Sequence, residues 1–240
     1  MDIKVLASGS KGNCYRISDG HTRLLIEAGL SVKRIREGLS FRLSSVGGVL
    51  VSHEHMDHAR AASDLLRRGH DVYMSQGMAD ALGLKGHRLQ PITAGQQFVV
   101  GTFWVLPFEV EHDAAEPLGF VLQSRLTGEK LLYATDTYYT RYRFPGLDYI
   151  LIECNYIPDI LEANVEAGIA PRTLRDRLVE SHFGLHNLKE FFGANDLSRV
   201  KGIWLLHMSD VNCDAARAKR EIQELTGLPV YVAQEVAICR

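Results

Sequence analysis

Among the 240 residues, the run Val51-Ser52-His53-Glu54-His55-Met56-Asp57-His58 most limits what the chain can become. Three histidines and one aspartate fall within six residues. The apolar run Val46 to Val51 before them reads as a buried strand, and Ala59 to Leu66 after them reads as an amphipathic helix. In an extended segment His53 and His55 project to one side, because the side-chain period is two. Two imidazoles on one side make half of a tetrahedral zinc site. Asp57 and His58 come at the turn into the helix, are aimed differently, and suit a second ion. One short loop thus offers ligands to two neighbouring metals. A solvated, His-rich loop is the plainer reading; the full H-x-H-x-D-H pattern between a strand and a helix leaves it little room.

A chain of this length, 46% apolar, is long enough to bury a full core, and residues 1–240 are expected to form a single domain. No apolar run approaches the ~18 residues of a membrane span, and Met1-Asp2-Ile3-Lys4-Val5 lacks the basic and apolar regions of a signal peptide. Cys14, Cys154, Cys213 and Cys239 are scattered without a CxxC, which favours reduced thiols and a cytoplasmic protein. The net charge of −2, with Lys and Arg spread along the chain, weakens a case for tight binding to long nucleic acid. A local basic patch is not visible at this level.

Strand-like runs open the chain (Ile3 to Ser8, Cys14 to Ile17, Arg23 to Glu27), joined by the glycine-rich turn Gly9 to Asn13. More follow at Gln97 to Val100, Phe103 to Val110, Gly119 to Gln123, Lys130 to Thr135, Tyr149 to Cys154 and Lys201 to His207, with helical patterns between. Beyond the fourth of these lies Tyr138-Tyr139-Thr140-Arg141-Tyr142-Arg143-Phe144. Its rings suit stacking on a base and its guanidiniums suit phosphate; subunit packing, as in a homodimer, is the equal alternative.

The His53-x-His55-x-Asp57-His58 motif resembles the signature of the metallo-β-lactamase-fold hydrolases, and Ser8-Gly9-Ser10-Lys11-Gly12-Asn13-Cys14 resembles the start of YycJ-like members. The resemblance implies an α/β fold, the αββα sandwich of two mixed β-sheets with helices on the outer faces. It extends to His112, which with Gly119-Phe120 forms an H-x4–6-G-[FY] arrangement before a strand, with Asp113 as a weaker competitor. It extends also to Asp136 at the end of Leu131-Leu132-Tyr133-Ala134-Thr135, and to His207 after an apolar strand. The implied sets are His53, His55, His112 and Asp136 for one divalent ion, and Asp57, His58, His207 and Asp136 for the other. Asp136 bridges, as a carboxylate with two oxygens can. Zinc suits such donors, and manganese or iron can occupy them. In the RNase Z branch, a histidine before a helix assists the leaving group; His182 fits that place better than His186. Glu27 and Glu153 are read as residues that orient neighbouring histidines.

Two close ions lower the pKa of a shared water from 15.7 toward ~7. With Asp57 orienting that water and His182 as acid, the implied activity is hydrolysis of a nucleotide or nucleic-acid phosphodiester, by a phosphodiesterase or nuclease. Tyr138, Tyr139, Arg141, Tyr142 and Arg143 would be substrate contacts. A glyoxalase II-like thioesterase or lactonase is the rival enzyme, and a metal-binding module without turnover is the rival outside enzymes. The length and mild acidity favour a small cyclic nucleotide or a short, exonuclease-type substrate.

Overall fold

The computed structural model describes residues 1–233, so Cys239 lies outside the described residues. The chain forms two compact units, one of Met1–Glu109 with Ala114–Glu129, the other of Val110–Asp113 with 130–233 of the described residues.

The first unit opens with the antiparallel strands β1 (Asp2–Ala7), β2 (Cys14–Ser18) and β3 (Arg23–Ile26). Helix α1 (Val32–Gly38) follows. Ser31 caps it by accepting a hydrogen bond from the Arg34 amide, and Val32 and Ile35 are its buried face. Strand β4 (Gly48–Leu50) is buried at every position and pairs parallel with β3. After the histidine loop come α2 (Met56–Ala59), α3 (Ala62–Arg67), β5 (Val72–Met74), α4 (Gln76–Ala81) and β6 (Leu89–Pro91). Together β1 to β6 form one mixed sheet in that order. Strands β7 (Phe98–Val100), β8 (Phe103–Glu109) and β9 (Leu118–Ser124) pair antiparallel.

The expected helix after His58 is broken in two, and the break has a backbone cause. In an uninterrupted helix the carbonyls of Asp57 and His58 would accept from the amides four residues on. Here the Asp57 carbonyl accepts from the Asn13 amide at 2.7 Å and the His58 carbonyl from the Ala28 amide at 2.7 Å. The Ala61 amide turns instead to the Ala28 carbonyl at 2.8 Å. The histidine loop is thus knitted to the start of the chain by main-chain bonds. Strand β6 has no clear signal in the sequence: it is three residues long, partly exposed, and ends in proline at a sheet edge.

The second unit holds β10 (Lys130–Ala134), β11 (Tyr149–Glu153), β12 (Gly202–Leu206) and β13 (Val230–Val232), all parallel. Leu131 to Ala134 and Ile150 to Glu153 are buried without alternation, as parallel strands covered on both faces require. Between them run α5 (Pro158–Glu166), α6 (Arg172–Ser181), α7 (Leu185–Ala194) and α8 (Ala215–Thr226). Asp214 caps α8, and Gly227 closes it at φ 68°. No helix among the described residues is long and apolar enough to cross a membrane.

Close packing fixes the histidine loop at one glycine. A Cβ on Gly29 would lie 1.6 Å from the Asp57 carbonyl oxygen, whereas one on Gly193 in α7 would meet nothing within 4 Å. Gly29→Ala is expected to destabilise the protein by at least ~1–3 kcal/mol, as overpacking does. Gly193→Ala should be neutral or stabilising by up to ~1 kcal/mol, as a helix-interior glycine replacement. Urea unfolding of both variants checks this, and equal midpoints would refute it.

Candidate metal centre

In the first unit the functional side chains gather where β4 ends. The rings of His53 and His55 lie edge to face with centroids 4.7 Å apart, and His58 returns to 4.0 Å from His53. The turn into α2 folds His58 back beside His53. Asp57 Oδ2 lies 3.4 Å from His58 Nε2. Glu27 is fully buried, accepts from the Ser52 amide at 3.3 Å, and holds Oε1 3.5 Å from His58 Nδ1. Asn13, given no role in the sequence reading, exchanges bonds with both backbone groups of Gly9 and holds Nδ2 3.0 Å from His58 Nε2. Its only sequence signal is its place at the end of the Ser8-to-Cys14 turn.

In the second unit the parallel register sets the ends of β10, β11 and β12 side by side, the usual place for a site in parallel sheets. Asp136 follows β10, Glu153 ends β11 and His207 follows β12. His182, the residue that ends α6, joins them: ligand atoms of Asp136, Glu153, His182 and His207 all lie within 4.8 Å of one another. Glu153 organises the group. Its Oε1 accepts from His182 Nδ1 at 2.7 Å and His207 Nδ1 at 2.9 Å; its Oε2 accepts from the amides of Phe183 at 3.0 Å and Thr137 at 3.4 Å. Burial opposes its charge, but the His182 charge and the histidine hydrogen bonds outweigh burial and hold Glu153 below the usual carboxylate range. Burial likewise works against a charged His182, yet Glu153 and Asp136 raise its pKa. His112 is pushed down by burial, and its Nδ1 lies 3.0 Å from the Ser181 carbonyl oxygen.

A pattern runs through these histidines. His53 Nδ1 sits 2.9 Å from Ser52 Oγ, and the Nδ1 atoms of His58, His112 and His207 face Glu27, the Ser181 carbonyl and Glu153. In His53, His112 and His207 the protein thus holds Nδ1 and leaves Nε2 as the ligating atom, which is how metal-binding imidazoles are oriented; in His58 it is Nε2 that faces Asn13. With carboxylates as the other donors, the residues fit divalent zinc or manganese.

A family model described as "Beta-lactamase superfamily domain" matches residues 22–208. The chain belongs to this superfamily. It is 28% identical over 228 residues to the exodeoxyribonuclease YycJ of Bacillus anthracis, covering 87% of this chain and 83% of that one. The metallo-β-lactamase-fold protein YhfI of Bacillus subtilis superposes with a TM-score of 0.71 at 15% identity, over 97% and 96% of the two chains. Human tRNase Z, short form, superposes at 0.59 with 14% identity, over 98% and 96%. These likenesses carry the fold: α/β, two mixed β-sheets with helices, as the resemblance implied. As a superfamily member with such relatives, the chain is a metal-dependent hydrolase.

The remaining sequence-predicted residues of this superfamily member fall as follows. Asp113 lies on the surface, paired with Arg177 at 2.9 Å, whereas the His112 side chain is buried. His186 stands exposed in the first turn of α7, its ring 6.2 Å from Tyr156. Tyr138 and Tyr139 are exposed. Arg141 pairs with Glu111 at 2.6 Å, and Arg143 donates to the Ala194 carbonyl at 2.8 Å, capping α7. A recess of about 250 Å³ is lined by Tyr139, Arg141, Tyr142, Arg143, Glu190 and Phe191. Cys14, Cys154 and Cys213 are free thiols.

Glu153→Gln keeps the shape of the side chain and removes the charge that two imidazoles share. Removing an orienting partner of this kind typically costs 10–100-fold in metal affinity, and a drop of about that size is expected with the fold intact. Calorimetric zinc titration alongside circular dichroism measures it; unchanged affinity would show that Glu153 does not position the histidines.

Proposed function

We propose that the chain is a dinuclear metal-dependent phosphodiesterase that cleaves nucleic-acid phosphodiesters in the manner of an exonuclease. On this reading His53, His55, His112 and Asp136 are the ligands of one ion, and Asp57, His58, His207 and Asp136 those of the other. Two such ions, probed as zinc or manganese, supply Lewis acidity and an activated nucleophile. Asp57 orients the nucleophile. Tyr138, Tyr139, Arg141, Tyr142 and Arg143 form the substrate wall. The name of the YycJ relative supports a nucleic-acid substrate, and the scattered free thiols support a cytoplasmic place of action.

The observation that carries this reading is the His182–Glu153 pair beside Asp136 and His207. Glu153 fixes Nδ1 of His182 as a donor, so Nε2 is the atom that delivers a proton. The carboxylate at 2.7 Å favours the charged form of the ring. An alkoxide leaving from phosphorus gains from that proton. A thiolate leaving from a thioester has far less use for it, so the pair speaks against the glyoxalase II-like alternative. His186, exposed in α7, has no comparable carboxylate partner among its described contacts.

Two outcomes are expected. Purified protein should bind about two ions per chain, and Asp136→Ala should lose both along with activity. Metal analysis showing one tightly held ion and substantial turnover in Asp136→Ala would remove Asp136 from the bridge. General acid help is typically worth ~10²–10⁴-fold, and p-nitrophenolate leaves well without it. His182→Ala should therefore slow DNA hydrolysis by about that factor while slowing bis(p-nitrophenyl) phosphate much less, and His186→Ala should do little to either. Equal slowing of both substrates by His182→Ala overturns the acid role. Cleavage of S-lactoylglutathione with no phosphodiester cut hands the site to the thioesterase reading.

A further inference from the structure

The first unit carries a basic recess that the metal centre does not use. Lys4, Arg16, Arg23 and Arg42 line it together with Gly38, Leu39, Ser40 and Ser45, and no carboxylate is among its lining residues. The register shows how it is assembled: Lys4 on β1 stands directly opposite Arg16 on β2. Like charges directly opposite in an antiparallel pair destabilise the sheet, and Asp2, which pairs with Arg16, offsets this only in part. Lys4 also donates to the Gly38 carbonyl at the end of α1. Residues 31–45, which wrap the recess, contain Lys33, Arg34, Arg36 and Arg42 against Glu37 alone.

At its rim the backbone is strained. Ser40 and Phe41 stand at φ 51° and 61°, a region that residues other than glycine seldom enter. Among the described residues three other non-glycines do so, Glu27, Asp136 and His207, and all three belong to the metal centre. These residues close the end of α1, the Phe41 amide donating to the Arg36 carbonyl at 2.7 Å, and the Phe41 ring is 69% exposed. The Arg36 guanidinium lies 5.9 Å from its centroid. Phe41 stands in sequence between two residues that line the recess, Ser40 and Arg42, and an exposed ring next to clustered cations suits single-stranded nucleic acid, where cations track the phosphates and a base stacks on the ring. Strain of this kind persists where the surroundings enforce it, and it clusters at ligand-binding positions.

We infer that this recess is a second nucleic-acid contact, an exosite in which Arg16, Arg23 and Arg42 hold consecutive phosphates and Phe41 stacks a base of a single strand. The inference rests on the proposed nuclease reading for the identity of the polymer. Arg23 begins β3 and Glu27 follows its end beside the histidine loop, about 13 Å away at ~3.3 Å per residue. The exosite therefore holds a strand some nucleotides from the bond being cut, and it gives an enzyme of net charge −2 a local grip on a polyanion.

The test uses the full chain and a fluorescein-labelled dT20 probe, with EDTA present so that binding is read without cleavage. Anisotropy titrations across a salt series should give a log–log slope that becomes shallower by ~0.7 for each phosphate contact removed, thus by about 1.4 in Arg23→Ala/Arg42→Ala. Phe41→Ala should weaken dT20 binding roughly 5- to 150-fold, the range of one stacked base. Arg42→Glu, a surface charge reversal, should weaken it further, and unfolding midpoints confirm that each variant is folded. With metal restored, turnover of bis(p-nitrophenyl) phosphate should match wild type in all of them, because that substrate is too small to reach the recess. Unaltered dT20 affinity and salt slope in the variants overturn the exosite. Full displacement of dT20 by millimolar inorganic phosphate also overturns it, showing a small-anion site instead. If wild type cuts no phosphodiester at all, the nuclease reading fails, and the binding arm still decides the recess by itself.

Discussion

Much of the second unit depends on one buried carboxylate. Glu153 sits at the end of a parallel strand with no exposure to solvent, and a lone charge there would cost several kcal/mol. Four donors meet it: two imidazoles and two main-chain amides. The amides tie down the turn after Asp136 and the entry to α7. The imidazoles lose both rotational and tautomeric freedom in the same contact. The order of the centre and the solvation of the charge are therefore one requirement, met by one set of bonds.

The first unit reaches similar rigidity by another route. Its histidine loop is held chiefly through backbone: the Asp57 and His58 carbonyls are taken by amides of residues 13 and 28, and Gly29 packs where no side chain fits. The cost is a helix broken into two short pieces, α2 and α3. The gain is that His53, His55 and His58 converge from a segment that is not itself a strand. Glu27 then provides a buried carboxylate on this side, facing His58.

The histidine loop was legible because its ligands are adjacent in sequence and their spacing has a direct geometric meaning. The strands around it were legible from apolar runs and turn residues. Asp136, His182 and His207 could be placed only through family likeness, since each is an isolated residue whose neighbours are set by sheet register. Asn13 and Gly29 were not recognised at all: one acts through bonds to a loop 44 residues away, the other through the side chain it lacks. The basic recess escaped for the same reason. Lys4, Arg16, Arg23 and Arg42 are unremarkable one at a time, and only strand pairing makes them neighbours.

The left-handed backbone at Glu27, Asp136 and His207 has a consequence for how these positions can change. A residue at positive φ cannot extend the ladder; Glu27 and His207 stand directly after β3 and β12, and Asp136 one residue further beyond β10. At Glu27 and His207 strand length and the location of the functional group are then written at a single codon. Of the side chains that would preserve the torsion at Asp136, asparagine and glycine are the easiest, and neither supplies a bridging carboxylate; β-branched residues fail on backbone geometry before chemistry is considered. Such positions leave little room for neutral drift, because a substitution must satisfy a Ramachandran constraint and a chemical one in the same step.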